Sequence, residues 1–116
     1  MADELTKIRM AQNQSIFRNA NERIEAAADA MGLWQYLPFI CECPVESCTE
    51  LVQMTIDEYE SIRQDPTWFL TAPGHEAVSV EAGAAVVVDR VERYVLVEKI
   101  GVAGEVAAEE HQRLGT

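Results

Sequence analysis

Three cysteines fall within eight residues, at Cys41, Cys43 and Cys48, and the remaining chain contains none. This crowding constrains the fold more than any other feature, because sulfurs so close in sequence must share one small region of space. Cys41 and Cys43 are two apart, so on an extended strand both side chains fall on one face and can reach a common point. Pro44 and Ser47 provide turn chemistry in the gap before Cys48. Further along, Pro73-Gly74 turns the chain and presents His75 at the end of a predicted strand, which supplies a fourth donor. Three thiolates and one imidazole make a Cys3His set, which suits tetrahedral zinc and leaves no coordination position for water. The spacing therefore predicts a closed structural Zn2+ site held by Cys41, Cys43, Cys48 and His75. Thiolates with an occasional histidine also hold iron–sulfur clusters, which is the alternative cofactor. Without any cofactor the same residues would be buried thiols beside a core histidine. A Cys41–Cys43 disulfide would close a very small, strained ring.

The charge balance narrows the partners. Twenty acidic residues against nine basic ones leave a net charge of -11. Such a chain repels phosphate backbones and anionic lipid, so neither nucleic acid nor a membrane is expected as a direct partner. A protein with a basic surface is the expected complement. The opening Met-Ala-Asp-Glu lacks a cationic secretion region, and no apolar run is long enough to span a bilayer. An odd number of cysteines argues against a secreted disulfide framework. A bacterial-type cytoplasmic protein is the expectation.

Along the chain, residues 3–31 contain neither proline nor glycine, and apolar residues recur at mostly helical spacing until Gly32. Residues 1–32 are thus predicted as a long N-terminal helix. Its polar middle, Gln12-Asn13-Gln14-Ser15, breaks the apolar stripe, so the first half is expected either to project toward a partner or to fray. Residues 33–101 form the expected metal-stapled core. It would comprise strands at Phe39–Cys43, Leu51–Met54 and Thr67–Thr71, and a valine-rich hairpin of Ala84–Val88 with Tyr94–Ile100. Thr55-Ile56-Asp57-Glu58 has the form of a capping box, placing a short helix from about Ile56 to Gln64 with Tyr59 and Ile62 facing inward. Ala77–Gly83 reads as loop, and residues 102–116 as a short helix or a disordered tail, with His111 exposed. The predicted class is α+β, a long N-terminal helix with a small antiparallel sheet and one short helix.

The segments Asn21-Glu22-Arg23-Ile24, Phe39-Ile40-Cys41-Glu42-Cys43, Glu58-Tyr59-Glu60, Pro73-Gly74-His75-Glu76 and Val97-Glu98-Lys99 resemble a group of small uncharacterised bacterial proteins, mainly actinobacterial. The resemblance implies that the four ligands act as one unit, and it attaches no activity to them. In part the ligand set also resembles the CDGSH iron–sulfur family, which has Cys-x-Cys, a third cysteine and a histidine. In that family the last two sit close together, whereas here a predicted helix and strand separate Cys48 from His75.

Catalytic motifs are lacking: there is no Gly-rich phosphate loop, no Gly-x-Ser-x-Gly and no His-Glu-x-x-His. Glu42, Glu46, Glu50, Asp57, Glu58 and Glu60 could be combined with His75 as acid and base, but carboxylates on a helix face are more often solvated. Trp34, Tyr36, Trp68 and Phe69 could line a ligand cavity, but in a domain this small such residues are more often the core itself. The functional expectation is a non-enzymatic zinc-binding interaction or regulatory module, with a redox sensor or iron–sulfur electron-transfer protein as the alternative.

Overall fold

The computed structural model describes residues 3–113. It is an α+β fold in the order α1 (Glu4–Ala30), β1 (Leu37–Ile40), β2 (Leu51–Met54), α2 (Ile56–Arg63), β3 (Trp68–Thr71), α3 (Ala77–Glu81), β4 (Ala85–Arg90), β5 (Val95–Lys99) and α4 (Gly101–Arg113). The strands form two antiparallel sheets instead of one, a β1–β2 hairpin and a three-stranded sheet in the order β3-β5-β4. No helix among the described residues is long and apolar enough to cross a membrane.

Local chemistry accounts for most of the boundaries. The Asp3 side chain caps α1 by accepting from the Thr6 N–H at 2.8 Å, and the helix ends at Gly32, whose φ of 71° is left-handed. The predicted capping box starts α2: Thr55 Oγ1 accepts from the Glu58 N–H, and the Glu58 carboxylate accepts from the Thr55 N–H. One short segment differs from expectation. Ala77–Glu81 is a helix of five residues with no side-chain cap, so the sequence carries no start signal for it. Residues 101–113 are helical, while residues 114–116 and the His111 side chain lie outside the description.

The main core surrounds Phe39, Met54, Tyr59 and Leu70, with Phe39 and Tyr59 stacked at a centroid distance of 4.6 Å. Cys41 and Cys43 belong to this cluster. A second cluster packs Phe69, Val95 and Val97 of the sheet against Ala107 of α4, and a third joins Ala11, Ala84 and Ala103. Trp34 and Tyr36 are exposed, contrary to their expected place in the core.

α1 docks at the stretch where its polar middle suggested it would leave the domain. Its buried face is Ala11, Gln14, Ser15, Arg18, Asn21 and Ala28. Gln14, Arg18 and Asn21 follow one another at helical spacing, so the seam is polar instead of apolar. Hydrogen bonds to backbone carbonyls of the core satisfy much of its polarity. Asn13 donates to Pro44 O, Gln14 to Glu42 O, Asn21 to Ile40 O, and the Arg18 guanidinium to Pro66 O and Trp68 O. Arg18 also lies over the Phe69 ring, 3.5 Å from its centroid.

Candidate metal centre

Three separate segments bring the four predicted ligands together. β1 ends at Ile40, so Cys41 and Cys43 lie just beyond the strand and not within it. The backbone nevertheless stays pinned, with the Cys41 N–H donating to Glu50 O at 3.0 Å and the Glu42 N–H donating to Leu70 O at 2.8 Å. The two cysteines are therefore held between β2 and β3. A turn closed by the Cys48 N–H on Val45 O then returns the third sulfur to the same spot.

His75 arrives from a turn over Ala72-Pro73-Gly74-His75, closed by the His75 N–H donating to Ala72 O at 3.0 Å. Pro73 fixes the first central residue, and Gly74 takes a φ of 92° that a side chain would resist. The Glu76 carboxylate braces this turn by accepting from the Gly74 N–H and from Arg90, at 2.7 and 2.8 Å. These contacts hold the Glu76 carboxyl below the usual carboxylate range even though burial opposes them.

The donor atoms of Cys41, Cys43, Cys48 and His75 all lie within 4.8 Å of one another. Zn–S bonds of about 2.3 Å and a Zn–N bond of about 2.0–2.1 Å give a tetrahedral S···N edge of about 3.6 Å and an S···S edge of about 3.8 Å. His75 Nδ1 lies 3.6 Å from Cys41 Sγ and 3.5 Å from Cys48 Sγ, so both of these S···N edges match. The histidine presents Nδ1 to the sulfurs. Cys41 and Cys43 are buried, while Cys48 and His75 are half-buried.

The surroundings suit a cation held by thiolates. The Ala72 N–H donates to Cys41 Sγ at 3.1 Å and stabilises negative charge there. The proton shared between Cys41 and Cys43 pushes the Cys41 thiol up and holds Cys43 down at about 5, and burial pushes Cys48 up. A metal held by thiolates would displace the protons that these sulfurs carry. The four residues could hold a single ion, with the widest donor separation, 4.8 Å, closing by about 1 Å to reach a tetrahedral edge.

Behind the ligands stands Glu42, wholly buried between Cys41 and Cys43. Its carboxylate accepts from Asn21 Nδ2 at 2.9 Å and from the Leu70 N–H at 3.1 Å. Burial pushes the Glu42 carboxyl up, against the opposing influence of Arg18 and of these donors. Asn21 also accepts from the Ile40 N–H at 2.7 Å and donates to Ile40 O at 2.8 Å, so one amide grips the strand end and the ligand loop together. Sequence reasoning placed Glu42 among candidate acids and overlooked Asn21, Gln14 and Arg18. The signal available was their helical spacing on a face with few bulky apolar residues. Glu58 is engaged by Arg93 at 2.8 Å, and Glu46, Glu50, Asp57 and Glu60 are exposed.

The fold and the site define a small α+β domain with a compact Cys3His group that could hold a metal ion. Comparison with models of known protein families, with curated proteins and with solved structures finds no match for this chain.

Proposed function

We propose that this chain is a small cytoplasmic zinc-binding protein that acts as a non-enzymatic protein-interaction or regulatory module, with Cys41, Cys43, Cys48 and His75 on one Zn2+. The observation that carries the metal reading is the convergence of four donors, from three segments, to within 4.8 Å. Four protein ligands complete a tetrahedron and leave no open position, as structural zinc sites do. Three thiolates also leave a net charge of about -1 on the zinc centre, which makes it a weak Lewis acid. The nearest buried carboxylates are already engaged, Glu42 by Asn21 and Leu70 and Glu76 by Arg90, which supports a scaffold over acid–base work. Bound metal would tie the β1–β2 hairpin to the loop after β3 and stabilise the fold, as structural zinc contributes ~10–16 kcal/mol of apparent binding energy in small domains.

Elemental analysis and an absorption spectrum on protein purified without chelator test this reading. About one zinc per chain and no visible band are expected. Iron with a visible band would replace the zinc reading with the redox one, and protein without metal would overturn both. Cys48→Ser is expected to lower both metal content and melting temperature; an unchanged melting curve would refute the structural role.

A further inference from the structure

The C-terminal half of α1 borders two different concavities. One, of about 330 Å³, is an apolar groove lined by Ile24 and Ala27 of α1, by Met31 just past its end, and by Leu33, Leu37 and Pro38 of the connector and β1. Trp34 sits in that connector between Leu33 and Leu37 and is 82% exposed, and Met31 is 71% exposed. A tryptophan left in water beside an apolar groove is an unusual expenditure of surface, and aromatic side chains of this kind anchor protein interfaces.

The other concavity, of about 440 Å³, is lined in part by Glu22, Glu25 and Glu60, with Tyr59 and Arg63. Arg63 pairs with Glu22 at 2.7 Å. Burial pushes the Glu25 carboxyl up, and Glu60, Asp29 and Glu22 push it further by repulsion, so negative charge is concentrated along this flank of the helix. Within two turns of one helix an apolar groove thus gives way to an acidic row.

We propose that this part of α1 docks a basic amphipathic helix of a partner protein, its apolar ridge entering the groove and its lysines or arginines meeting Glu25, Asp29 and Glu60. The inference rests on the interaction-module reading and gives it a surface and a partner chemistry. Helix-in-groove recognition uses apolar anchors at helical spacing, and flanking cations would supply complementarity and steering. A second copy of this chain is a poor occupant, because each copy has a net charge of -11 and would bring like charge to the acidic row.

The probe is a synthetic helical peptide about five turns long, with leucines on one face and lysines flanking them. The control has the same composition, scrambled so that the leucines share no face. Binding is followed by tryptophan emission, with Trp34→Ala giving the share that belongs to Trp68, and amide shifts in NMR spectra locate the contact. The amphipathic peptide is expected to bind more tightly than the control, to shift Trp34 emission to the blue and to perturb residues 24–38. Trp34→Ala and the pair Glu25→Lys with Asp29→Lys are each expected to raise Kd by about tenfold or more.

Equal binding of both peptides, shifts located elsewhere, or variants that bind as the wild type does would overturn the proposal. Concentration-dependent self-association lost in Trp34→Ala would assign the groove to a second copy and overturn it too. Metal content is measured on the same sample. A metal-loaded chain that ignores the peptide refutes the groove alone, whereas a metal-free chain that binds it refutes the metal reading alone.

Discussion

Replacing Asn21 with alanine should disable the metal centre without touching a ligand. The Asn21 side chain is fully buried and makes three hydrogen bonds, to Ile40 O at 2.8 Å, from the Ile40 N–H at 2.7 Å and to the Glu42 carboxylate at 2.9 Å. Alanine removes all three and leaves the Ile40 N–H and one Glu42 oxygen buried without these partners. An unmet buried polar group costs about 1–3 kcal/mol, and more where it is charged, so the expected loss is ~3–5 kcal/mol. That is a large fraction of the ~5–15 kcal/mol that typically holds a domain folded. For a chain of this size it corresponds to a fall of roughly 10–25 °C in melting temperature. Because Ile40 and Glu42 flank Cys41, metal affinity should fall with it, by about 10–100-fold as for other residues that orient ligands from behind. Urea unfolding of metal-loaded protein measures the first quantity, and competition with a chromophoric chelator measures the second. A loss below about 1 kcal/mol together with unchanged metal affinity would show that the grip of α1 on the ligand loop is not energetically important.

Two further substitutions probe the second core. Lys99 is buried with no hydrogen-bond partner for its ammonium among the described residues, and burial, aided by Arg18, holds its pKa down at about 7 from an ordinary 10.5. Between those values the unfolded chain carries a proton that the folded chain releases, so this residue makes stability rise with pH across that window and adds no slope below it. Lys99→Met should therefore be more stable than wild type at pH 6, with the gap narrowing by a few kcal/mol as pH rises toward 10; a gap independent of pH in denaturant melts would refute this. At Gly104 an added Cβ would lie 2.8 Å from the Lys99 carbonyl oxygen and 3.3 Å from its carbon, both backbone atoms. Gly104→Ala should lose about 1–3 kcal/mol even though alanine favours helix by about 1 kcal/mol, and a higher melting temperature would show that α4 shifts freely.

The convergence of the four side chains was legible because it depends on spacing and turn chemistry. Cys41, Cys43 and Cys48 are tied by sequence proximity, and Pro73-Gly74 makes the turn that presents His75. The assumption that Cys41 and Cys43 share a strand was unnecessary, since pinning by Glu50 and Leu70 brings their sulfurs together just past its end. The docking of α1 was not legible in the apolar pattern. Periodicity counts apolar side chains, whereas Gln14, Arg18 and Asn21 bind carbonyls whose positions depend on the tertiary fold. The split into two sheets was equally hidden, since β1 and β2 pair only from Leu37 to Ile40 before the ligand loop diverges. Trp34 was misplaced because composition alone does not separate a core aromatic from one left at the surface.

The polar seam of α1 also matters while the chain is being made. α1 emerges from the ribosome before its acceptors at Ile40, Glu42, Pro66 and Trp68 exist. An apolar docking face would have to wait in water as a sticky surface, the usual hazard of partly made chains. Amides and a guanidinium wait there fully hydrated, and they exchange water for carbonyls only when the later segments arrive. The nascent helix can thus remain soluble through synthesis and become committed to the domain at the end.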